Sequence, residues 1–287
     1  MTEIAGSNVL VTGGASGIGR LVALDMARLG ARIVIWDVDA QKAAAVAEEV
    51  ARVSGRPAHW YPCDVSNREE VHRTAAQVQG EVGGIDILVN SAGVVSGRSF
   101  LECSDAEIER TIGVNTMALF WTCRAFLPGM IRAGRGHLVT IASAAGVVGV
   151  ARLADYCASK WAAIGFDEAL RMELRHAAPG VKTTIVCPYY VDTGMFEGVA
   201  TRFSWILPIL KEQRVAQRIV RAVQRNRRRL VMPWIVHFVP LLRTLPLGLF
   251  DWMADLLGIN RSMDHFVGRS GGGQEDAKPQ AAGEETS

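Results

Sequence analysis

Between residues 8 and 230 the chain alternates short apolar runs with longer stretches whose apolar residues recur every three or four positions. The runs at 8–12, 32–36, 85–89, 137–141 and 181–186 are rich in Val, Ile and Leu and, like the aromatic run at 58–61, too short for helices, which predicts strands. After the first run, Leu21, Leu24 and Met26 mark a helix ending near Leu29. Further helices are expected over 40–53, 68–81, 105–132 and 211–226, and along the stretch carrying Trp161, Ile164, Phe166 and Leu170. Strands alternating with helices predict an α/β fold, a doubly wound parallel sheet of about seven strands with helices on both faces. Ligands bind beyond the carboxyl ends of the strands in such sheets, so the residues following each strand carry the functional information.

The first strand runs into Gly13-Gly14-Ala15-Ser16-Gly17-Ile18-Gly19 and then straight into a helix. Glycines let the backbone approach a pyrophosphate closely, and the helix N-terminus offers unpaired N–H groups and the positive end of its dipole. The spacing Gly-x-x-x-Gly-x-Gly differs from the commoner Gly-x-Gly-x-x-Gly. The position between strand and helix therefore carries the expectation of a Rossmann-type dinucleotide site. Asp37 closes the second strand, where a carboxylate accepts from adenosine ribose hydroxyls and repels a 2′-phosphate. Val38 follows and Ser16 occupies the turn, so no cation stands nearby for that phosphate, and NAD is expected rather than NADP. The plain alternative for Asp37 is a polar strand end. Asp64, followed by Val65, ends the third strand where it can accept from an adenine amino group. Asn90-Ser91-Ala92-Gly93 ends the fourth with small residues that let a cofactor lie against the backbone.

In Asp155-Tyr156-Cys157-Ala158-Ser159-Lys160, the tyrosine and lysine stand four residues apart on one helix face. A phenol with a pKa near ~10 is a poor base at neutral pH, and a neighbouring ammonium lowers it by roughly 1–3 units. The pair alone equally describes a solvated helix face. Asn115 lies within an otherwise apolar helical stretch, as a packing amide or a functional one. Ser143 follows the strand at 137–141, where earlier strands place ligand-facing residues.

The composition removes other classes of function. The 287 residues, 49% hydrophobic and 21% charged, fit one soluble α/β domain with additions. A net charge of +2 predicts no nucleic-acid partner. Cys63, Cys103, Cys123, Cys157 and Cys187 are scattered without a Cys-x-x-Cys pair, as expected of reduced thiols in a cytoplasmic protein. The six histidines show no ligand spacing, so no metal is expected. No signal peptide is expected before the first strand, and no apolar run approaches the ~20 residues that span a bilayer.

Taken together, these motifs resemble the short-chain dehydrogenase/reductase family over residues 8–226. The matching features are Thr12-Gly13-x-x-x-Gly17-x-Gly19, Asp64-Val65, Asn90-Ser91-Ala92-Gly93, and Asn115, Ser143, Tyr156 and Lys160 in the family's order. The resemblance implies a catalytic tetrad: Tyr156 as acid/base, Ser143 bonding the substrate oxygen, Lys160 on the nicotinamide ribose and lowering the Tyr156 pKa, and Asn115 holding a water that leads to solvent. It implies that Pro188 and Val191 line the cofactor, that Thr193 bonds the nicotinamide carboxamide, and that Ala145 lines the substrate pocket. It also implies a homo-oligomer, tetramer or dimer. Tyr189 departs from the family's usual glycine after proline and would reshape the nicotinamide end of the pocket.

Residues 193–211 correspond to the family's substrate lid, within a catalytic domain expected to span 1–230. Met195, Phe196, Phe203 and Trp205 there suggest an apolar pocket, or else packing on the core. Arg214, Arg218, Arg221 and Arg225 form a stripe on the 211–226 helix, as a solvated face or as a dock for anionic lipid or an acidic substrate. An apolar, proline-broken extension occupies 231–269, and its 234–250 portion is expected to roof the pocket or to lie at a membrane surface. It resembles the retinal-reductase and 17β-hydroxysteroid-dehydrogenase-like branch, which implies a steroid, retinoid or long-chain alcohol substrate. Residues 270–287 are glycine-rich and polar, and are expected to be disordered. The leading expectation is an NAD-dependent oxidoreductase that interconverts a lipophilic secondary alcohol and its ketone. Its rivals are a 3-oxoacyl thioester reductase and a nucleotide-dependent membrane-surface binding module.

Overall fold

The structure, a computed structural model, describes residues 1–268. The tail expected to be disordered lies outside the described residues. The strands are β1 (Asn8–Thr12), β2 (Arg32–Asp37), β3 (His59–Pro62), β4 (Ile87–Asn90), β5 (Gly136–Ile141) and β6 (Val181–Pro188), followed by the two-residue β7 (Val191–Asp192) and β8 (Leu210–Lys211), and β9 (Arg229–Met232). Seven of them build one parallel sheet in the order β3-β2-β1-β4-β5-β6-β9, while β7 pairs with β8 apart from it. The helices are α1 (Gly17–Arg28), α2 (Ala40–Ser54), α3 (Arg68–Glu81), α4 (Asp105–Ile112), α5 (Ala118–Arg132), α6 (Ala154–Ala177), α7 (Glu212–Gln224), α8 (Val239–Leu242) and α9 (Leu247–Leu256).

Alternation of side chains along each strand divides the core in two. Val9, Val11, Ile33 and Ile35 face the layer of α1, α2 and α7. Leu10, Val34, Trp36 and Leu88 face that of α3, α5 and α6. Each fully buried aliphatic side chain contributes about 1.5–3 kcal/mol relative to exposure, so a one-residue slip in a central strand is strongly disfavoured. The strand order reverses between β1 and β4, which opens a crevice at their carboxyl ends.

The helix expected over 105–132 is divided. Ser104 and Glu107 form a capping box that starts α4, and a π-turn over Gly113–Met117 separates α4 from α5. Such a turn inserts an extra residue and re-aims the side chains around it, here Asn115. After β9 the chain returns across the top of the sheet. Ile235, Val236 and Val239 pack against Ile185, Cys187 and Leu207, so the extension belongs to the same body as the sheet. Trp234, Leu241, Leu247 and Trp252 on the same segment stay exposed. Among the described residues, no helix is long and apolar enough to cross a membrane.

The turn Ala144–Gly146 lies directly on α6. A Cβ on Gly146 would stand 2.7 Å from the Lys160 carbonyl oxygen and 2.6 Å from Ile164 Cδ1. Gly146→Ala is therefore expected to destabilise the fold by about 1–3 kcal/mol through overpacking. Thermal melting checks it, and an unchanged midpoint would mean that the turn and α6 separate freely.

Candidate active site

The crevice begins where two loops meet backbone to backbone. Gly13 has a φ of 62°, and a Cβ there would lie 2.7 Å from Ala92 Cα. A side chain on Gly19 would collide with the Gly13 carbonyl. The Thr12 hydroxyl accepts from the N–H groups of Ser91 (3.1 Å) and Ala92 (3.2 Å), tying the end of β1 to the loop after β4. Helix α1 starts without a side-chain cap, and Ser16, Gly17, Ile18 and Gly19 all line a cleft of about 400 Å³. Unpaired N–H groups at such a helix start suit an anion.

Asp37 also lines the cleft, its Oδ2 accepting from Ala15 N–H (3.0 Å) and its Oδ1 from Asp39 N–H (3.1 Å). These bonds fix the carboxylate and leave lone pairs for ribose hydroxyls. Asp64 Oδ1 accepts from the N–H (2.9 Å) and hydroxyl (2.7 Å) of Ser66, and Val65 joins it at the wall. Ala92, Gly93, Pro188, Val191 and Thr193 continue the lining toward the catalytic end. Asn90 does not: its Oδ1 accepts from the Thr122 hydroxyl (2.8 Å), which turns the side chain into α5 behind the sheet. The glycine cradle and the anchored Asp37 fit a dinucleotide, which would supply or accept a hydride.

At the other end of the cleft, Ser143, Tyr156 and Lys160 converge on one wall. Lys160 is 4% exposed, and its Nζ donates to the Ile141 carbonyl (3.0 Å) at the tip of β5. Burial pulls its pKa down to about 8. The ammonium stands 5.5 Å from the centre of the Tyr156 ring. Lys160 was expected to lower the Tyr156 pKa, but burial dominates. The phenol is 5% exposed and is held above its ordinary value, with the Ser143 hydroxyl pulling it back. Asn115 sits just behind, its Oδ1 accepting from Val94 N–H (2.9 Å) and its Nδ2 donating to the Val94 carbonyl (2.9 Å) and Ser159 Oγ (3.0 Å). The side chain expected to hold a water thus braces the loop after β4 against α6.

Behind Tyr156 opens a second cavity of about 280 Å³, with Ala145, Tyr189 and Phe196 in its wall. Met195 lies at the cleft instead. Trp205 is 81% exposed and points away, and Phe203 is also outside the lining. The N–H groups of Ile206 (3.0 Å) and Leu207 (2.9 Å) both donate to the Phe203 carbonyl, a helical turn that brings Ile206 and Leu207 into the wall in their place. The extension supplies Val236, Phe238, Leu242 and Ile259. The 234–250 stretch was expected to roof the pocket or to lie at a membrane surface, and three of these residues come from it, whereas Ile259 carried no sequence signal. Edge-to-face aromatic contacts run from Tyr156 to Phe196 (5.7 Å), on to Tyr190 (5.1 Å) and then to Tyr189 (4.7 Å). The Tyr190 hydroxyl is paired with Ser262 Oγ (2.9 Å).

The short chain dehydrogenase family model matches residues 7–202. The chain belongs to that family. Mouse "Epidermal retinol dehydrogenase 2" is 46% identical over 270 residues, 93% of this chain and 87% of that protein. A short-chain dehydrogenase/reductase from Burkholderia phymatum, solved in complex with NAD, superposes with a TM-score of 0.76 at 29% identity, covering 85% of this chain and 95% of that one. A metagenomic short-chain oxidoreductase in complex with NADP gives 0.66 at 31% identity, over 77% and 92% respectively.

The buried lysine has a measurable signature. Its pKa falls from 10.5 to about 8 on folding, so between those values the unfolded chain binds more protons and stability rises with pH. The buried thiols of Cys63, Cys123 and Cys187, raised to about 12, oppose this rise from about pH 9 upward, and the raised Tyr156 does so above pH 10, because the folded state then holds the extra protons. Lys160→Met is expected to remove the lysine's contribution to the slope between pH 8 and 10, read as the difference from the unmutated protein, and to stabilise the protein at pH 7 by up to roughly 3 kcal/mol. Denaturant unfolding across pH checks it, and an unchanged slope in the variant would contradict the assignment.

Proposed function

We propose that the protein is an NAD-dependent dehydrogenase acting on a lipophilic alcohol and its carbonyl, with a retinoid fitting best among the steroid, retinoid and long-chain candidates. One observation carries the reading. Ser143 and Tyr156 border both the polar cleft and the apolar cavity, so a carbinol carbon seated between them faces the cofactor side while its hydrocarbon lies behind. Tyr156 Oη–H donates the proton to the carbonyl oxygen in reduction and receives it from the alcohol in oxidation. Ser143 Oγ donates a hydrogen bond to that oxygen as charge develops on it. Lys160 holds positive charge below the phenol ring, which favours the phenolate needed in oxidation.

The cavity narrows the substrate. Its polar side chains are Ser143, Tyr156, Tyr189 and Tyr190, and the Tyr190 hydroxyl is already paired with Ser262. A second oxygen at the far end, as in a steroid with a group on each terminal ring, has only the Tyr189 hydroxyl left to pair with and costs about 1–3 kcal/mol where it does not reach it. The name of the mouse relative agrees with a retinoid. Asp37 favours NAD, in keeping with the Burkholderia structure. No residue of the Arg214 to Arg225 stripe lines the cavity, which argues against a carrier-bound thioester.

The test is turnover of retinol, a steroid and a long-chain secondary alcohol with NAD and with NADP. Retinol with NAD should turn over fastest, and Tyr156→Phe should lose about 10²–10⁴-fold in kcat while still binding dinucleotide. Unchanged turnover in the variant would sink the mechanism, and a preference for NADP would sink the ribose argument.

The exposed Trp234, Leu241, Leu247 and Trp252 stand on the segment that roofs the cavity. Peripheral contact of this face with a lipid surface belongs to the same proposal, since a hydrocarbon substrate resides there. Flotation with anionic liposomes should recover the protein, and Trp234→Ser with Trp252→Ser should reduce recovery several-fold. Equal recovery would remove the membrane component.

A further inference from the structure

The adenosine end of the cleft contains an arginine that no motif singled out. Arg110 lies in the last turn of α4 and lines the cleft with Val38, Asp64, Val65, Ser66 and Val114. Val114 follows it by four residues, so both side chains leave the α4 end on one face. The helix end is seated on the loop after β3, where a Cβ on Gly113 would stand 3.2 Å from Ser66 Cβ. This places Arg110 on the Asp64 side of the cleft, the base side, whereas Asp37 is tied to the turn at Ala15 on the ribose side.

Several of the described arginines make no ion pair, and Arg110 is the one of them that lines the cleft. Arg20, Arg68 and Arg98 each pair with a glutamate, and Glu107 on α4 is taken by Arg98 and by the helix cap. The Arg110 guanidinium has no hydrogen bond or ion pair among the described residues. The aromatic side chains of the cleft, Tyr156, Tyr189 and Phe196, belong to its catalytic end. At the adenosine end the lining of Val38, Asp64, Val65, Ser66 and Val114 has no aromatic ring, which leaves one planar, delocalised group there that can lie against a purine. A guanidinium stacks on aromatic faces where an ammonium does not.

We propose that Arg110 is a cofactor-binding residue that covers the adenine ring, stacking its guanidinium on the base held between Asp64, Val65 and Val114. The proposal rests on the dinucleotide reading of the cleft. It adds affinity for the adenosine half without choosing between NAD and NADP, a choice that remains with Asp37.

Binding of NADH, NADPH and ADP-ribose to the unmutated protein, Arg110→Ala and Arg110→Lys tests it by calorimetry or fluorescence, with thermal melting as the control. Arg110→Ala should weaken ADP-ribose and NADH about fivefold, and NADPH by the same factor, with an unchanged melting midpoint. Arg110→Lys, which keeps the charge and loses the plane, should be as weak as the alanine variant. Unchanged ADP-ribose affinity in Arg110→Ala would overturn the proposal. So would full restoration by lysine, or a loss confined to NADPH, since these make the group a point charge or a 2′-phosphate contact. If the unmutated protein bound no ADP-ribose, the dinucleotide reading itself would fail, an outcome distinct from any of these.

Discussion

A buried ammonium governs the arrangement of this protein's upper surface. Lys160 is enclosed by α6 and the tip of β5, with the Ile141 carbonyl as its one hydrogen-bond acceptor among the described residues. Water solvates a cation far better than a single carbonyl does, so the surrounding structure must hold the lysine in place. Gly146 helps by bringing the turn after Ser143 so close to α6 that a Cβ there would stand 2.7 Å from the Lys160 carbonyl oxygen. The π-turn, the Asn115 clasp on Val94 and the turn after Ser143 all converge on this lysine. A centre of this kind is costly to fold and useful to chemistry, as perturbed groups at functional sites commonly are.

From that centre the site divides into two chambers of opposite character. One is polar and lined by loops at the switch point of the sheet, with the α1 N-terminus and the Asp37 and Asp64 carboxylates in its wall. The other is almost wholly apolar and is closed by the extension after β9. The Tyr156 ring, with Phe196 edge-on to it, forms part of the partition. The single wall serves both chambers because α6 carries the tyrosine and the lysine one turn apart. A titratable phenol thus meets an apolar cavity on one side and a polar cleft on the other.

The nucleotide half was legible because its residues are set by local order. A residue that ends a parallel strand has one place to go, so Asp37, Asp64 and Ser143 could be placed from strand ends alone. Asn90 was misplaced by the same logic, since alternation sends the last strand residue to α5 rather than to the cleft. The direction of the Tyr156 shift was missed because a neighbouring charge can be read from spacing, whereas burial depends on the whole fold. Trp205 was misassigned because the lid has no period to follow, and its turn presents Ile206 and Leu207 instead. Arg110 was hidden among the acids of α4, where its sequence neighbours suggest surface pairing and only the seat of the helix end reveals the cleft.

The final described residues have a part in this that reaches beyond packing. Phe266 lies where any side chain on Gly97 would be, the N–H of Val267 donates to the Glu197 carbonyl (2.9 Å), and Ser262 holds Tyr190. The nucleotide chamber is built from residues that leave the ribosome well before these do. Domains generally fold as units. The sheet, the cleft and the apolar chamber share one body, so that unit is not complete until Val236 to Val267 have been made. Until then the apolar wall around Leu153, Tyr189 and Leu207 stays open to water, and to chaperones.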